Sequence, residues 1–392
     1  MAYRVGNASH RRPKPHTQNR TTYRTLIASV GAVLLLGTAS VASAKSGDRS
    51  MPAPQSMFVS GHSLTNKPIP SDVAEIAASF GFPLSWNQQH LDGSSIKQRS
   101  RGNASDEAPW TGYAQGIDRS NARIDVLDEF DRQKDTPYNV LLITEQHHLL
   151  GSLIWNDTIL HFRDFQRRFA AHNPRGVTHF YEPWLPLDDK SNPRRWIAYE
   201  REAAPVWQCV ISEMNGKLVT DGRHDRIVSL PASSALAYLL ERATQEPGIE
   251  GITRSSVRST VDSLVSDSVH LTSLGNYYIS LVTFASIFSH SVEGAWHPAD
   301  VTAKQASALQ ATANAFVQMP RSQPMQLDEC RSYVRRSFLW TYLGYTDRTN
   351  WRRERGYFGS LYLRLKLAVQ WSLLFASSKS SNPFAEAAYI DP

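Results

Sequence analysis

Past Lys45 the chain alternates short apolar or β-branched runs with longer stretches whose apolar positions recur at helical spacing. Gln55–Ser60 and Leu84–His90 read as strands, and Tyr138–Thr144 reads as a strand buried on both faces. Val177–Tyr181 and Ile227–Leu230, the latter closed by Pro231, add a fourth and a fifth. Between them the pattern predicts a capped helix over Ser71–Phe80. A second runs over Trp155–Ala171, with Ile159, Phe162, Phe165 and Phe169 on one face, and a third spans Arg194 to Asn215. Helical spacing resumes over Leu271–His290, and Val301–Val317 is rich in strong helix formers. This alternation predicts an α/β fold with a parallel sheet covered by helices on both faces. Two long connections, Asp92–Pro109 and Pro183–Pro193, interrupt it, and loops of that length carry binding function or mobility more often than regular structure.

The two ends of the chain differ from this middle. A basic stretch ends at Arg24, an apolar run follows from Leu26 to Leu36, and Ala42-Ser43-Ala44 precedes Lys45, the layout of a secretory signal peptide and hence of a periplasmic or secreted protein. A second reading keeps Thr25–Ala44 as an uncleaved inner-membrane anchor. Six of the 42 basic residues lie in the first 44 positions, where there is no acid, so the rest balances 36 against 36 and gives no support to nucleic-acid binding. Within that neutral body Arg331–Lys366 is a basic island: nine Lys or Arg against Asp347 and Glu354, interleaved with aromatics. It suits either contact with anionic lipid headgroups or an acidic polysaccharide, or a helical extension that packs its aromatics inward and leaves its arginines in water. The organisation expected is a leader over 1–44, an α/β domain over 45–318 and a basic, aromatic extension over 319–392. Cys209 and Cys330 are the only cysteines. An oxidising compartment permits a bridge between them, and separate buried thiols are the other reading.

Three constellations carry candidate chemistry. Val59-Ser60-Gly61-His62-Ser63-Leu64-Thr65-Asn66 stands at the end of the first strand, where a serine on a strand-to-loop turn presents its hydroxyl above the sheet edge; a plain cap or turn is the bland alternative. Asp267-Ser268-Val269-His270 puts an aspartate and a histidine on one turn, so the carboxylate fixes the imidazole tautomer and leaves the other nitrogen free to take a proton. A rival Asp221–His224 pair lies in a polar stretch that reads as an exposed turn. Glu145, His147 and His148 follow the third strand, but no acidic cluster completes a metal set there, and no cofactor motif is present.

In order and spacing these blocks resemble the SGNH (GDSL-type) hydrolases over about residues 55–318. The resemblance implies a three-layer α/β/α flavodoxin-like fold with the C-terminal helical extension outside it. It also implies ester chemistry, with Ser63 as nucleophile, His270 as base and Asp267 orienting it. Gly93 matches the family's oxyanion glycine. Two blocks depart from the pattern: His62 stands where the family has an aspartate, and Thr144-Glu145-Gln146-His147 replaces Gly-x-Asn-Asp. Gln146 supplying the missing amide, or Asn156 reaching back, are the two substitutes. The implied activity is an exported serine esterase or acyltransferase acting on an acylated carbohydrate or small ester. The alternatives are a catalytically weak glycan-binding or assembly protein, and a lipid esterase docking through the basic tail. Trp86, Trp110, Tyr113 and Trp184 are candidates to stack on sugar rings, with core packing as the alternative for each.

Overall fold

The five expected strands form the parallel part of a seven-stranded sheet. In the computed structural model, which describes residues 55–100, 114–131, 137–321 and 323–385, the strands are β1 (Gln55–Gly61), β2 (Leu84–His90), β3 (Gln115–Asp118), β4 (Arg123–Asp125), β5 (Val140–Thr144), β6 (Val177–Tyr181) and β7 (Ile227–Leu230). Their order is β4-β3-β2-β1-β5-β6-β7. β2, β1, β5, β6 and β7 are parallel, the doubly wound flavodoxin-like order, and β3 and β4 add antiparallel edge strands that make the sheet mixed. β1 and β5 hold the centre, and β5 is buried at all five positions, as a strand covered on both faces must be. The short β3–β4 ribbon has too few apolar residues to show by alternation, which is why the sequence reads as loop there.

The helices are α1 (Ile69–Ser79), α2 (Ile96–Arg99), α3 (Val126–Asp131), α4 (Leu149–Trp155), α5 (Thr158–His172), α6 (Arg194–Thr220), α7 (Ala232–Thr244), α8 (Val257–Asp262), α9 (Ser273–Phe288) and α10 (Ala303–Val317). α1 packs on α9, and α5 on α6. Right-handed crossovers leaving β1 in one direction and β5 and β6 in the other put these two pairs on opposite faces of the sheet. Two helix predictions need correction. The helix expected over Trp155–Ala171 is α5 and starts three residues late, because Asp157 takes a left-handed conformation (φ 47°) that separates it from α4, which ends at Trp155. α1 starts two residues early and has no side-chain cap; Pro70 in its first turn does the starting.

The basic island is helical. α11 (Leu327–Tyr333), α12 (Leu339–Thr346) and α13 (Arg352–Ala376) follow one another through two π-helical turns, Val334–Phe338 and Asp347–Trp351. Phe338, Tyr342 and Tyr345 are buried, whereas Trp340, Tyr357, Phe358 and Tyr362 are exposed, so each reading of this segment describes part of it. Cys330 of α11 is bridged to Cys209 of α6 across 121 residues of chain. Among the described residues no helix is long and apolar enough to cross a membrane. The leader, Trp110 and Tyr113 lie outside the described residues.

Candidate active site

In a doubly wound sheet the crevice lies where crossovers diverge, here between the carboxyl ends of β1 and β5. A buried arginine ties the strand ends together. Arg99 donates from Nε to Ser60 Oγ (3.2 Å) and from Nη1 to the Ser94 carbonyl and hydroxyl (2.9 and 2.7 Å). Its Nη2 donates to the Thr144 carbonyl. Burial lowers its pKa to about 10, and the nearby Glu145 partly restores it. Glu145, also buried, accepts from the Ile96 N–H (3.0 Å), the Gln146 N–H (2.6 Å) and the Thr158 hydroxyl (2.8 Å). Burial still raises its pKa, against those bonds and the charge of Arg99. The loops after β1, β2 and β5 thus share one polar anchor. Sequence reasoning missed Arg99, since a lone arginine in a charged loop carries no signal of burial.

The β1 loop is tightly built. A Cβ on Gly61 would stand 1.7 Å from Thr65 Oγ1 and 3.2 Å from Thr144 Cγ2, so only glycine lets the chain fold back there. His62 is buried, donates from Nε2 to the Glu145 carbonyl (2.9 Å) and accepts the Leu64 N–H at Nδ1 (3.4 Å). Burial first, then the charges of His147 and Arg99, push its pKa well below the usual value. A neutral imidazole therefore fills the position where an aspartate was expected. Ser63 comes next, and among the described residues neither its N–H nor its hydroxyl has a hydrogen-bond partner.

Asp267 and His270 lie in the loop before α9 rather than on the helix. Asp267 Oδ1 accepts the N–H groups of Val269 and His270 (both 2.7 Å), which closes an Asx turn, and Oδ2 accepts His270 Nδ1–H at 2.6 Å. Partial burial raises the Asp267 pKa, but the bonds from His270 and Val269 outweigh it and hold the carboxyl at about 2. In the neutral ring this bond places the proton on Nδ1 and leaves Nε2, which has no partner among the described residues, as the open acceptor. A bridge between Val265 and Leu271 pins the base of this loop. The expected long loop 183–193 clamps it from outside: Trp184 Nε1 donates to the Val269 carbonyl (2.9 Å), Leu187 N–H to the Ser268 carbonyl (2.6 Å) and Lys190 Nζ to the Val265 carbonyl (2.7 Å).

Ser63 and His270 line one cavity of about 140 Å³, with Asn66, Lys67, Trp184 and Asn276. Trp184 was among the expected sugar-stacking candidates; Asn66, Lys67 and Asn276 were given no role by the spacing of motifs, although Asn66 stands three residues after Ser63. Trp184 lines the cavity yet is almost fully buried, and Trp86 is a core residue beneath Lys67 Nζ (5.1 Å). His147 sits beside the cavity, its Nδ1 bonded to the Trp184 carbonyl (2.9 Å) and its ring 4.7 Å from that of His62. Burial, against that bond and aided by His148 and His270, lowers its pKa to about 4.

The three oxyanion candidates form a chain of their own. Asn156 Nδ2 donates to Gln146 Oε1 (3.2 Å), and Gln146 Nε2 donates to the Gly93 carbonyl (2.9 Å). Gln146 and Asn156 line a neighbouring cavity under α12, and none of the three is in the described lining of the Ser63 cavity. Gly93 is left-handed (φ 64°), and its N–H has no acceptor among the described residues. The rival His224 is exposed, and its partner Asp221 pairs with Arg163 instead (2.8 Å).

No family model and no curated protein matches the chain. Among solved structures it is similar to a DUF4886 family protein from Bacteroides uniformis, at 10% identity and a TM-score of 0.47, over 69% of this chain and 98% of that one. It is also similar to the periplasmic domain of a lipopolysaccharide acetyltransferase from Salmonella ser. Paratyphi A, at 14% identity and a TM-score of 0.33, over 60% of this chain and 83% of that one. These likenesses concern the fold alone.

Proposed function

We propose that the protein is an exported serine esterase or O-acyltransferase that works on short acyl groups carried by a carbohydrate. The observation that carries the reading is a serine with an unengaged hydroxyl sharing a cavity with a histidine whose Nδ1 is fixed by an aspartate. In the proposed sequence Ser63 Oγ attacks the ester carbonyl and its proton passes to His270 Nε2. The leaving alkoxide takes that proton, and an acyl group remains on Ser63. Water or an acceptor hydroxyl then attacks the acyl carbon, gives its proton to Nε2, and Ser63 departs protonated. The Ser63 and Gly93 N–H groups are the oxyanion donors in this scheme, with Gln146 orienting the Gly93 peptide. A small cavity edged by Asn66, Lys67 and Asn276 suits a short acyl group on a polar carrier better than a long fatty chain. The Cys209–Cys330 bridge supports export to an oxidising compartment.

One observation favours a second reading, a glycan-binding or assembly protein of weak activity: the Gln146 and Asn156 amides are bonded outside the Ser63 cavity. Turnover of acetylated oligosaccharides and of a 4-nitrophenyl acetate reporter separates the two. Ser63→Ala and His270→Ala are expected to lower kcat/KM by about 10³ or more with the fold intact, and His224→Ala to leave it near wild type. Loss with His224 but not His270 would overturn the assignment, and a wild type without turnover would favour the second reading.

A further inference from the structure

α13 carries two apolar faces, and among the described residues only one is covered. The chain turns at Gly356 (φ 68°, ψ 176°), and the 20 residues that follow make a helix about 30 Å long. Its inner side buries Leu367, Ala368, Trp371 and Phe375, with Trp371 against Trp155 (5.2 Å) and Tyr342 (5.8 Å). Phe358, Leu361, Tyr362, Leu365, Val369 and Leu373 are exposed, Phe358 by 83% and Tyr362 by 69%. At about 100° per residue these six fall in one stripe roughly 120° wide, its centre about 130° round the helix from the buried side. A helix apolar on both sides is ordinarily enclosed.

Charge identifies what covers the stripe. Lys366 borders it and Arg353 and Arg355 precede it, all exposed and none with a carboxylate partner among the described residues, and Glu354 is the one acid in α13. A second copy of the chain on this face would add cations and, with Glu354 the one acid in α13, almost no acid to pair with them. A soluble acidic polysaccharide would meet the cations but leave the aliphatic row Leu361, Leu365, Val369 and Leu373 in water. An anionic bilayer satisfies both, with hydrocarbon for the stripe and lipid phosphates for the arginines. We infer that α13 lies in the plane of an anionic membrane surface, Phe358 to Leu373 inward, and docks the protein there.

The test uses a local reporter, so that the N-terminal apolar run cannot mimic the result. The two native cysteines are bridged, so Val369→Cys in the full chain provides a selectively labelled thiol for an environment-sensitive fluorophore. Ala171→Cys, on an exposed position of α5, serves as control. On phosphatidylglycerol vesicles the probe at 369 is expected to shift to the blue and gain severalfold in intensity, while the probe at 171 stays unchanged. Leu365→Asp, on a side chain already in water, is expected to abolish the gain. No change at 369 would overturn the inference. So would an equal change on neutral phosphatidylcholine, an equal change with soluble polygalacturonate, or a change without vesicles that grows with protein concentration.

Discussion

His147 shows how one buried side chain couples the site to pH. Its pKa is about 4 against an ordinary 6.5, so between those values the unfolded chain binds a proton that the folded chain refuses. Its contribution to stability is complete above about pH 6.5 and is lost as the pH falls toward 4. Asp72 and Glu182, each raised to about 7 chiefly by burial, act in the opposite sense: their contributions are lost as the pH rises through 7. The expectation is therefore a difference between two proteins that share those acids. In chemical denaturation the stability advantage of wild type over His147→Gln should shrink by up to about 3 kcal/mol between pH 7 and pH 4. An advantage that does not vary with pH would show that His147 is not held neutral. The pairing of Asp267 with His270 was legible because hydrogen bonds within three residues fix the Asx turn, and the placement of Ser63 at a strand end was legible because β1 is a local pattern. It did not show Arg99 or the neutral His62, whose roles come from partners about 40 to 80 positions away.

Element by element, the extension and the site are mechanically joined. Tyr345 of α12 donates its hydroxyl to the Pro186 carbonyl (2.8 Å) and accepts the Asp188 N–H (3.2 Å). The loop it holds clamps the Asp267–His270 turn through Trp184, Leu187 and Lys190. In the proposed mechanism Tyr345 is a positioning residue that acts through the loop. Removing the hydroxyl with Tyr345→Phe forfeits about 1 kcal/mol of bonding, and kcat/KM in the ester assay should fall between about twofold and tenfold with little change in Tm. Tyr357→Phe, an exposed tyrosine of α13, should leave the soluble assay unchanged. Equal effects from the two substitutions would contradict the clamp. The parallel strands and most long helices were readable because their apolar periodicity is a local property. The β3–β4 ribbon and the break at Asp157 were not, since one depends on pairing with β2 and the other on a single backbone dihedral.

At the scale of the whole molecule, the sheet supplies a rigid floor, the loops after β1, β2 and β5 gather on Arg99, and the loop before α9 brings His270 to Ser63. The Cys209–Cys330 bridge fastens α11 to α6, so the extension that holds loop 183–190 is itself tied to the core. The bridge was open in the sequence, where two cysteines 121 positions apart give no sign of proximity; folding brings their Cα atoms to 5.9 Å. The central claim is that this assembly activates Ser63. Its most direct measurement is covalent labelling by a serine-directed fluorophosphonate, read by intact mass for wild type, Ser63→Ala and His270→Ala. The account predicts one adduct on wild type, mapped to Ser63, and none on either variant. A folded wild type that takes no label, or a Ser63→Ala variant that labels as wild type does, would contradict it.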